Sequence, residues 1–193
     1  MVKGDSLWIN WAIALKPSPH TKGHPLLARA DLPSDTASLA RYLIGKIVDA
    51  YRGMTPRNGS LFLERGHAYI YFAYGSSYML NVSSEGRGIG AGVLIRALEP
   101  LEGIPIMQVN RGVERLRDLA RGPGRLAEAL RIDRGLDGLD LCRKGPLWLG
   151  RGDHEPGEIG QSIRIGISRD ADRPLRFYLR DSPFVSGSKS LNK

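Results

Sequence analysis

The 193-residue chain has a single cysteine, Cys142, so no internal disulfide can close and a reducing compartment is expected. Its four histidines, His20, His24, His67 and His154, show no spacing with Cys142 or the carboxylates that would build a metal site. No metal and no cofactor is expected. Long hydrophobic runs are missing too. Leu7–Leu15 follows Lys3 much as a signal peptide's apolar stretch would, but it is too short to span a membrane. Lys16-Pro-Ser-Pro follows it where a small-residue cleavage site would stand. Residues 1–24 read as an extension outside the domain, expected to be disordered. Repeats are absent, and so is any break in composition that would mark a second domain; 193 residues suit one domain with a sizeable core. Acidic residues are outnumbered: net charge is +8 and the isoelectric point about 9.9, which favours a polyanionic partner.

Aromatic residues make up only 7% of the chain, so their placement is informative. Four tyrosines and a phenylalanine fall between Tyr69 and Tyr78. Residues 68–73 read as a strand, Tyr74-Gly-Ser-Ser77 as a turn, and Tyr78–Ser83 as the returning strand. The product is a hairpin with Tyr74 at its tip and more tyrosines along its shaft. One reading is core packing, which is where strand aromatics commonly go. The other is a site: an aromatic on a protruding turn can wedge into a base stack, and one deeper in can sandwich a flat ring.

The domain begins near Pro25 and is expected to run to Gly187, with residues 188–193 a disordered basic tail. Pro33–Thr36 supplies helix-capping residues, apolar residues from Ala37 to Ile44 recur at helical spacing, and Gly45 closes that helix. Ile47-Val48 starts a strand, and Asp49–Asn58 is turn-like. The glycines of Gly86–Gly92 do not form a dinucleotide fingerprint, since a strand, Val93–Leu98, follows where a helix is needed. Arg96 interrupts that strand. It is either an edge residue with its guanidinium in water or a pocket arginine paired with a carboxylate or phosphate. Residues 101–121 read as helix broken at Gly103, Pro105 and Gly112. Arg111, Arg115, Arg117 and Arg121 lead into Gly122-Pro-Gly124 and a new helix at Arg125–Leu130, an arrangement that can hold backbone phosphate. Arg121 and Arg125 are the candidate DNA-backbone contacts. Alternating Ile163, Ile165 and Ile167, and the segment Arg176–Arg180, read as two further strands.

At Thr55-Pro-Arg-Asn58, Gly66-His-Ala-Tyr-Ile-Tyr-Phe-Ala-Tyr-Gly75, Leu80-Asn-Val-Ser83 and Leu94-Ile-Arg-Ala-Leu-Glu-Pro-Leu-Glu-Gly103 the chain resembles the alkyladenine (3-methylpurine) DNA glycosylases. Arg121-Gly-Pro-Gly-Arg-Leu126, Ile132-Asp133 and Arg176-Phe-Tyr178 fit the same family, and the likeness runs from Pro33 to Gly187. The resemblance implies a single α+β (mixed α/β) domain on a curved antiparallel sheet, with surrounding helices and a protruding hairpin. It implies an enzyme that flips alkylated or deaminated purines (3-methyladenine, 7-methylguanine, hypoxanthine) from duplex DNA and hydrolyses the N-glycosidic bond, starting base excision repair. Neither metal nor covalent intermediate is implied. The implied partner is double-stranded DNA with a damaged purine, the expected state a monomer without membrane contact, and the expected location the cytoplasm (with the nucleoid) or the nucleus. By resemblance Tyr71 stacks on the flipped base, Tyr74 intercalates, Asn81 lines the pocket floor and Arg96 stands beside the pocket.

One family element has no counterpart. Members carry Glu-Ala-Tyr on the strand after the first helix: the glutamate activates water and the tyrosine forms the second face of the base sandwich. Here Gly45-Lys-Ile-Val48 runs directly into Asp49-Ala-Tyr-Arg-Gly-Met-Thr-Pro-Arg-Asn58. Asp49 is either a shortened stand-in for the glutamate, with Tyr51 as the second stacking face, or it replaces a histidine further along the family pattern. The unbroken match from Tyr51 to Asn58 favours the second. Two functions follow, a glycosylase or a non-catalytic lesion-binding protein. An RNA-binding module, which basic and aromatic surfaces also suit, fits the ordered motifs less well.

Overall fold

Ala68–Ala73 (β3) and Ser77–Ser83 (β4) form the hairpin that the aromatic pattern predicts, paired antiparallel from Ala68 opposite Val82 to Ala73 opposite Ser77. The computed structural model describes residues 11–15, 25–43, 46–49, 53–151, 157–165, 172–188 and 190. Within it, strands Trp11–Leu15 (β1) and Lys46–Asp49 (β2) precede the hairpin, and Ala91–Leu94 (β5), Leu147–Arg151 (β6), Ile159–Ser162 (β7) and Arg176–Leu179 (β8) follow it. The main sheet has six strands in the order β3-β4-β5-β2-β8-β7, and every pairing in it is antiparallel. With its helices it makes an α+β domain.

The sheet's two faces have different tasks. Ala68, Ile70, Leu80, Val82 and Val93 point to one side and join the main apolar core. Tyr69, Tyr71, Met79, Asn81 and Leu94 alternate with them and therefore share the other side. Helix Pro123–Ala129 (α4) packs on β4 through Leu126, Ala127 and Ala129, and helix Ile104–Arg111 (α2) packs on α4 through Met107. Helix Thr36–Tyr42 (α1) is capped by Asp35, whose carboxylate accepts from the Ser38 amide, and Leu39 and Ala40 enter the core. Gly103 and Gly112 bound α2 in the left-handed region, at φ 67° and 61°, and so divide the 101–121 segment. Leu116–Leu119 (α3) is the second piece.

Four expectations change. Trp11–Leu15, inside the segment read as a disordered extension, is a strand antiparallel to Leu147–Arg151; the remainder of residues 1–24 lies outside the described residues. β5 stops at Leu94, so Arg96 stands just beyond a strand rather than inside one, although the Ile95 amide still bonds to the Leu80 carbonyl at 3.0 Å. Of the strand expected from the Ile163–Ile167 alternation, Ile163 and Ile165 lie beyond β7, which ends at Ser162, and Ile167 lies outside the described residues. Of the Asp49–Asn58 segment, Asp49 belongs to β2 and Gly53–Asn58 is turn and coil. Gly45 and Tyr51 lie outside the described residues.

Candidate nucleic-acid interface

The hairpin tip is a left-handed turn: Tyr74 has φ 55° and Gly75 φ 67°, and the Ser76 amide closes it on the Ala73 carbonyl at 3.1 Å. Tyr74 is 82% exposed. Large exposed aromatics are unusual, and one held at positive φ carries backbone strain as well. On the shaft below, Tyr71 is half-buried and leans on Tyr69, with ring centroids 5.3 Å apart at 31°. Phe72 and Tyr78 meet edge to face at 5.0 Å.

Rows across the sheet place the other residues. The register pairs Tyr69 with Asn81, Asn81 with Leu94, Leu94 with Lys46 and Lys46 with Arg176. The next row toward the tip begins with Tyr71 and Met79, and the Ile95–Leu80 bond carries the same register on to Arg96. Tyr71, Asn81 and Arg96 are thereby brought together on the face away from the helices. Arg96 is partly buried. Its Nε donates to Ser186 Oγ and its Nη1 to the Ile165 carbonyl, both at 3.4 Å, and among the described residues no carboxylate pairs with it. Burial pulls its pKa below the usual arginine value, against the pull of the Tyr74 and Tyr71 hydroxyls nearby. The Tyr71 hydroxyl is pushed up by burial, then by Tyr74.

Asn81 is fully buried. Its Nδ2 donates to the carbonyls of Tyr69 and Met79, at 3.0 and 3.3 Å, which fixes the amide with Oδ1 turned the other way. That Oδ1 is buried with no hydrogen-bond partner among the described residues. An orphaned acceptor is costly in a finished core and marks a place where a donor is wanted.

The backbone of Asp49 stands several rows from Tyr71 and Arg96. The register sets it opposite Ala91, whose carbonyl in turn accepts from Ser84. From the Tyr71–Met79 row to the row of Ser84 is five residues along the sheet, about 16 Å at the ~3.3 Å rise of a strand. Its backbone stands toward the end of the sheet remote from the hairpin tip.

Four arginines of the 111–125 region divide into two sets, and a fifth, Arg115, lies 3.8 Å from Asp118. Arg111 is paired with Glu128 and donates to the Leu119 carbonyl, while Arg117 donates to the Pro183 carbonyl, so both serve the fold. Arg121 has no acidic partner among the described residues, and Arg125 reaches Asp118 only at 3.6 Å. Both sit around the start of α4, which abuts the hairpin at Ser77, just below its tip. A Cβ on Gly124 would lie 2.7 Å from Ser77 Oγ and 2.8 Å from Ser77 Cβ. Gly124→Ala should therefore destabilise the protein by about 1–3 kcal/mol through overpacking. Heat denaturation of the Gly124→Ala and Ser77→Gly variants and their combination tests this; strictly additive losses would show that the two residues do not collide.

Sequence reading missed Arg176, a 2% exposed arginine in the row of Asn81. It donates to Ser162 Oγ at 2.6 Å and the Ser186 carbonyl at 2.7 Å, and lies 4.7 Å from the Tyr178 ring centroid. Burial, then the charge of Arg96, brings its pKa down to about 10. The signal was available, since Arg176 abuts Phe177 just as Arg96 abuts Ile95. Among the described residues no three metal-ligating side chains cluster, and no helix is long and apolar enough to cross a membrane.

Fold and site together define an α+β protein that presents an aromatic hairpin beside arginine side chains, of which Arg96 and Arg121 have no carboxylate partner among the described residues. The family model for methylpurine-DNA glycosylase (MPG) matches residues 42–183, and the chain belongs to that family. It is 66% identical over 196 residues to a Mesorhizobium japonicum protein named "Putative 3-methyladenine DNA glycosylase", covering 88% of this chain and 94% of that protein. Proteins of the same name from Paraburkholderia phytofirmans and Rubrobacter xylanophilus are 45% identical over 193 residues and 48% over 130, covering 86% and 67% of this chain and 90% and 67% of theirs.

Proposed function

We propose that this chain recognises damaged purines in double-stranded DNA, as a DNA-repair glycosylase of its family, and that its own hydrolytic step is impaired. The observation that carries the reading is the Tyr71–Asn81–Arg96 group beneath an exposed Tyr74, with no carboxylate beside Arg96 among the described residues. Tyr74 wedges into the stack, and Tyr71 offers its face to the extruded base. Asn81 lines the pocket floor and screens purines by their exocyclic groups, and Arg96 supplies positive charge at the pocket's side.

Hydrolysis needs a carboxylate to orient and activate water on the sugar face opposite the leaving base. The remoteness of Asp49 argues against that role for it, and so supports the alignment that puts it in a histidine's place. The alignment with the Mesorhizobium japonicum protein supports a missing block, because its 196 positions exceed the 88% of this 193-residue chain that they cover. Cationic 3-methyladenine and 7-methylguanine, whose charge makes them good leaving groups, retain some release. Neutral hypoxanthine retains little. Release of base from a hypoxanthine duplex, measured beside binding to an abasic-analogue duplex, separates this reading from a fully active enzyme. Robust hypoxanthine release abolished by Asp49→Asn would make Asp49 the water activator, and no preference for the abasic analogue would defeat lesion recognition.

Binding to any duplex should be salt-sensitive. Replacing Arg121 and Arg125 together by alanine should flatten the dependence of log affinity on log salt by about 0.9 per lost phosphate contact. An unchanged slope would remove these arginines from the interface.

A further inference from the structure

β3 lies at the edge of the sheet, so every second residue directs its backbone groups away from β4, and these outward groups are taken up one after another. At Ala68 main chain does the work: its amide donates to the Leu139 carbonyl, and its carbonyl accepts from the Gly138 amide, both at 2.8 Å. From there toward the tip side chains take over. The Ile70 amide donates to Asp137 Oδ1 at 2.7 Å, and the Ile70 carbonyl accepts from Arg134. The Phe72 carbonyl accepts from Arg57 Nη2 at 2.8 Å. The three side chains are tied to their surroundings. Arg134 Nη2 also donates to the Arg57 carbonyl at 3.1 Å and lies 3.4 Å from Asp137 Oδ2, which accepts from Ser60 Oγ at 2.6 Å.

Arg57 comes from Thr55-Pro-Arg-Asn58, a self-closed turn. Asn58 Oδ1 accepts from the Thr55 amide at 2.6 Å, and the Asn58 amide donates to the Thr55 carbonyl at 3.1 Å. The turn aims one long cation at the strand edge. Such an arrangement does more than hide an edge from other chains, because a short charge would do that alone. It fixes both bonding groups of Ile70, the residue between Tyr69 and Tyr71.

We propose that Asp137, Arg134 and Arg57 are positioning residues, which hold the free edge of β3 and thereby set the place of the Tyr71 ring and of the hairpin tip. The proposal rests on the reading of Tyr71 and Tyr74 as the lesion-recognising pair. Loss of the Asp137 bond frees the strand at Ile70, and the rings on either side lose their fixed approach to an extruded base.

The test uses the full chain with Asp137→Ala, Asp137→Asn and Arg57→Ala. Three quantities are read: the affinity ratio between an abasic-analogue duplex and an intact one, exchange of the Ile70 amide by NMR, and the melting temperature. Asp137→Ala should speed Ile70 exchange and lower the ratio about tenfold, the equilibrium equivalent of one charge-assisted hydrogen bond. Asp137→Asn keeps an acceptor for Ile70 and should hold the ratio near that of the unmodified protein. Arg57→Ala, which removes one exposed side chain and is expected to fold even where Asp137→Ala does not, should lower the ratio as well. A lower melting temperature with an unchanged ratio would reduce the three residues to edge protection and overturn the proposal. So would Ile70 exchange indifferent to Asp137→Ala. A ratio of one for the unmodified protein would defeat the lesion-recognition reading itself, whatever the Ile70 exchange.

Discussion

Insertion of a family-like Glu-Ala-Tyr strand and loop between Val48 and Asp49 should raise hypoxanthine release by about 10²–10⁴-fold, the contribution of one positioned general base. DNA affinity should change far less, because Tyr74, Arg121 and Arg125 are untouched. β2 has four residues and meets β8 through a single pair, Lys46 opposite Arg176. An inserted strand segment would give this short central strand a new register, so its glutamate would not be held to the remote row that Asp49 occupies. An insertion with alanine in place of the glutamate is the control. Equal rates for the two insertions would show that the gain came from folding rather than from water activation. A first-order assay on single turnovers keeps product release out of the comparison.

Tyr74→Ala should weaken binding to an abasic duplex by about 1–3 kcal/mol, the usual cost of losing one base–aromatic stack, and leave binding to an intact duplex nearly unchanged. A plug contributes only where there is a gap. The same position should gain stability on Tyr74→Gly, because φ 55° is strained for a side chain and free for glycine. Opposite signs for melting temperature and lesion affinity would identify a residue kept for function at a cost to the fold. Equal losses on both DNAs, or a fall in melting temperature with Tyr74→Gly, would make it a structural tyrosine.

Much of this was legible because local chemistry and tertiary context agree in the middle of the chain. The hairpin follows from alternation around Tyr74-Gly75, and α4 from Gly122-Pro123 ahead of an apolar stripe. The candidate site was legible less from spacing than from the rarity of aromatics, which makes a cluster of them conspicuous. Other features depend on partners distant in sequence. Trp11–Leu15 is a strand because β6 offers it an edge, and nothing within residues 1–24 announces β6. Arg134 and Asp137 read as an ordinary polar turn until β3 is set beside them. Ile163 and Ile165 alternate as strand residues do, yet the strand has ended at Ser162, where its partner β8 begins.

The close approach of Gly124 to Ser77 has a consequence for how such a protein would patrol a genome. A searcher must lower its wedge to feel for weak stacking and lift it to move on. If Arg121 and Arg125 are the backbone grip proposed above and Tyr74 the wedge, the helix that carries Arg125 touches the hairpin just below that wedge, and lifting one disturbs the other. Stepping along DNA and probing it then share one barrier, and salt that loosens the grip also quickens the probing. One-dimensional diffusion of single molecules should therefore gain less from Tyr74→Ala in high salt than in low salt; an equal gain at both would mean that the two motions are independent.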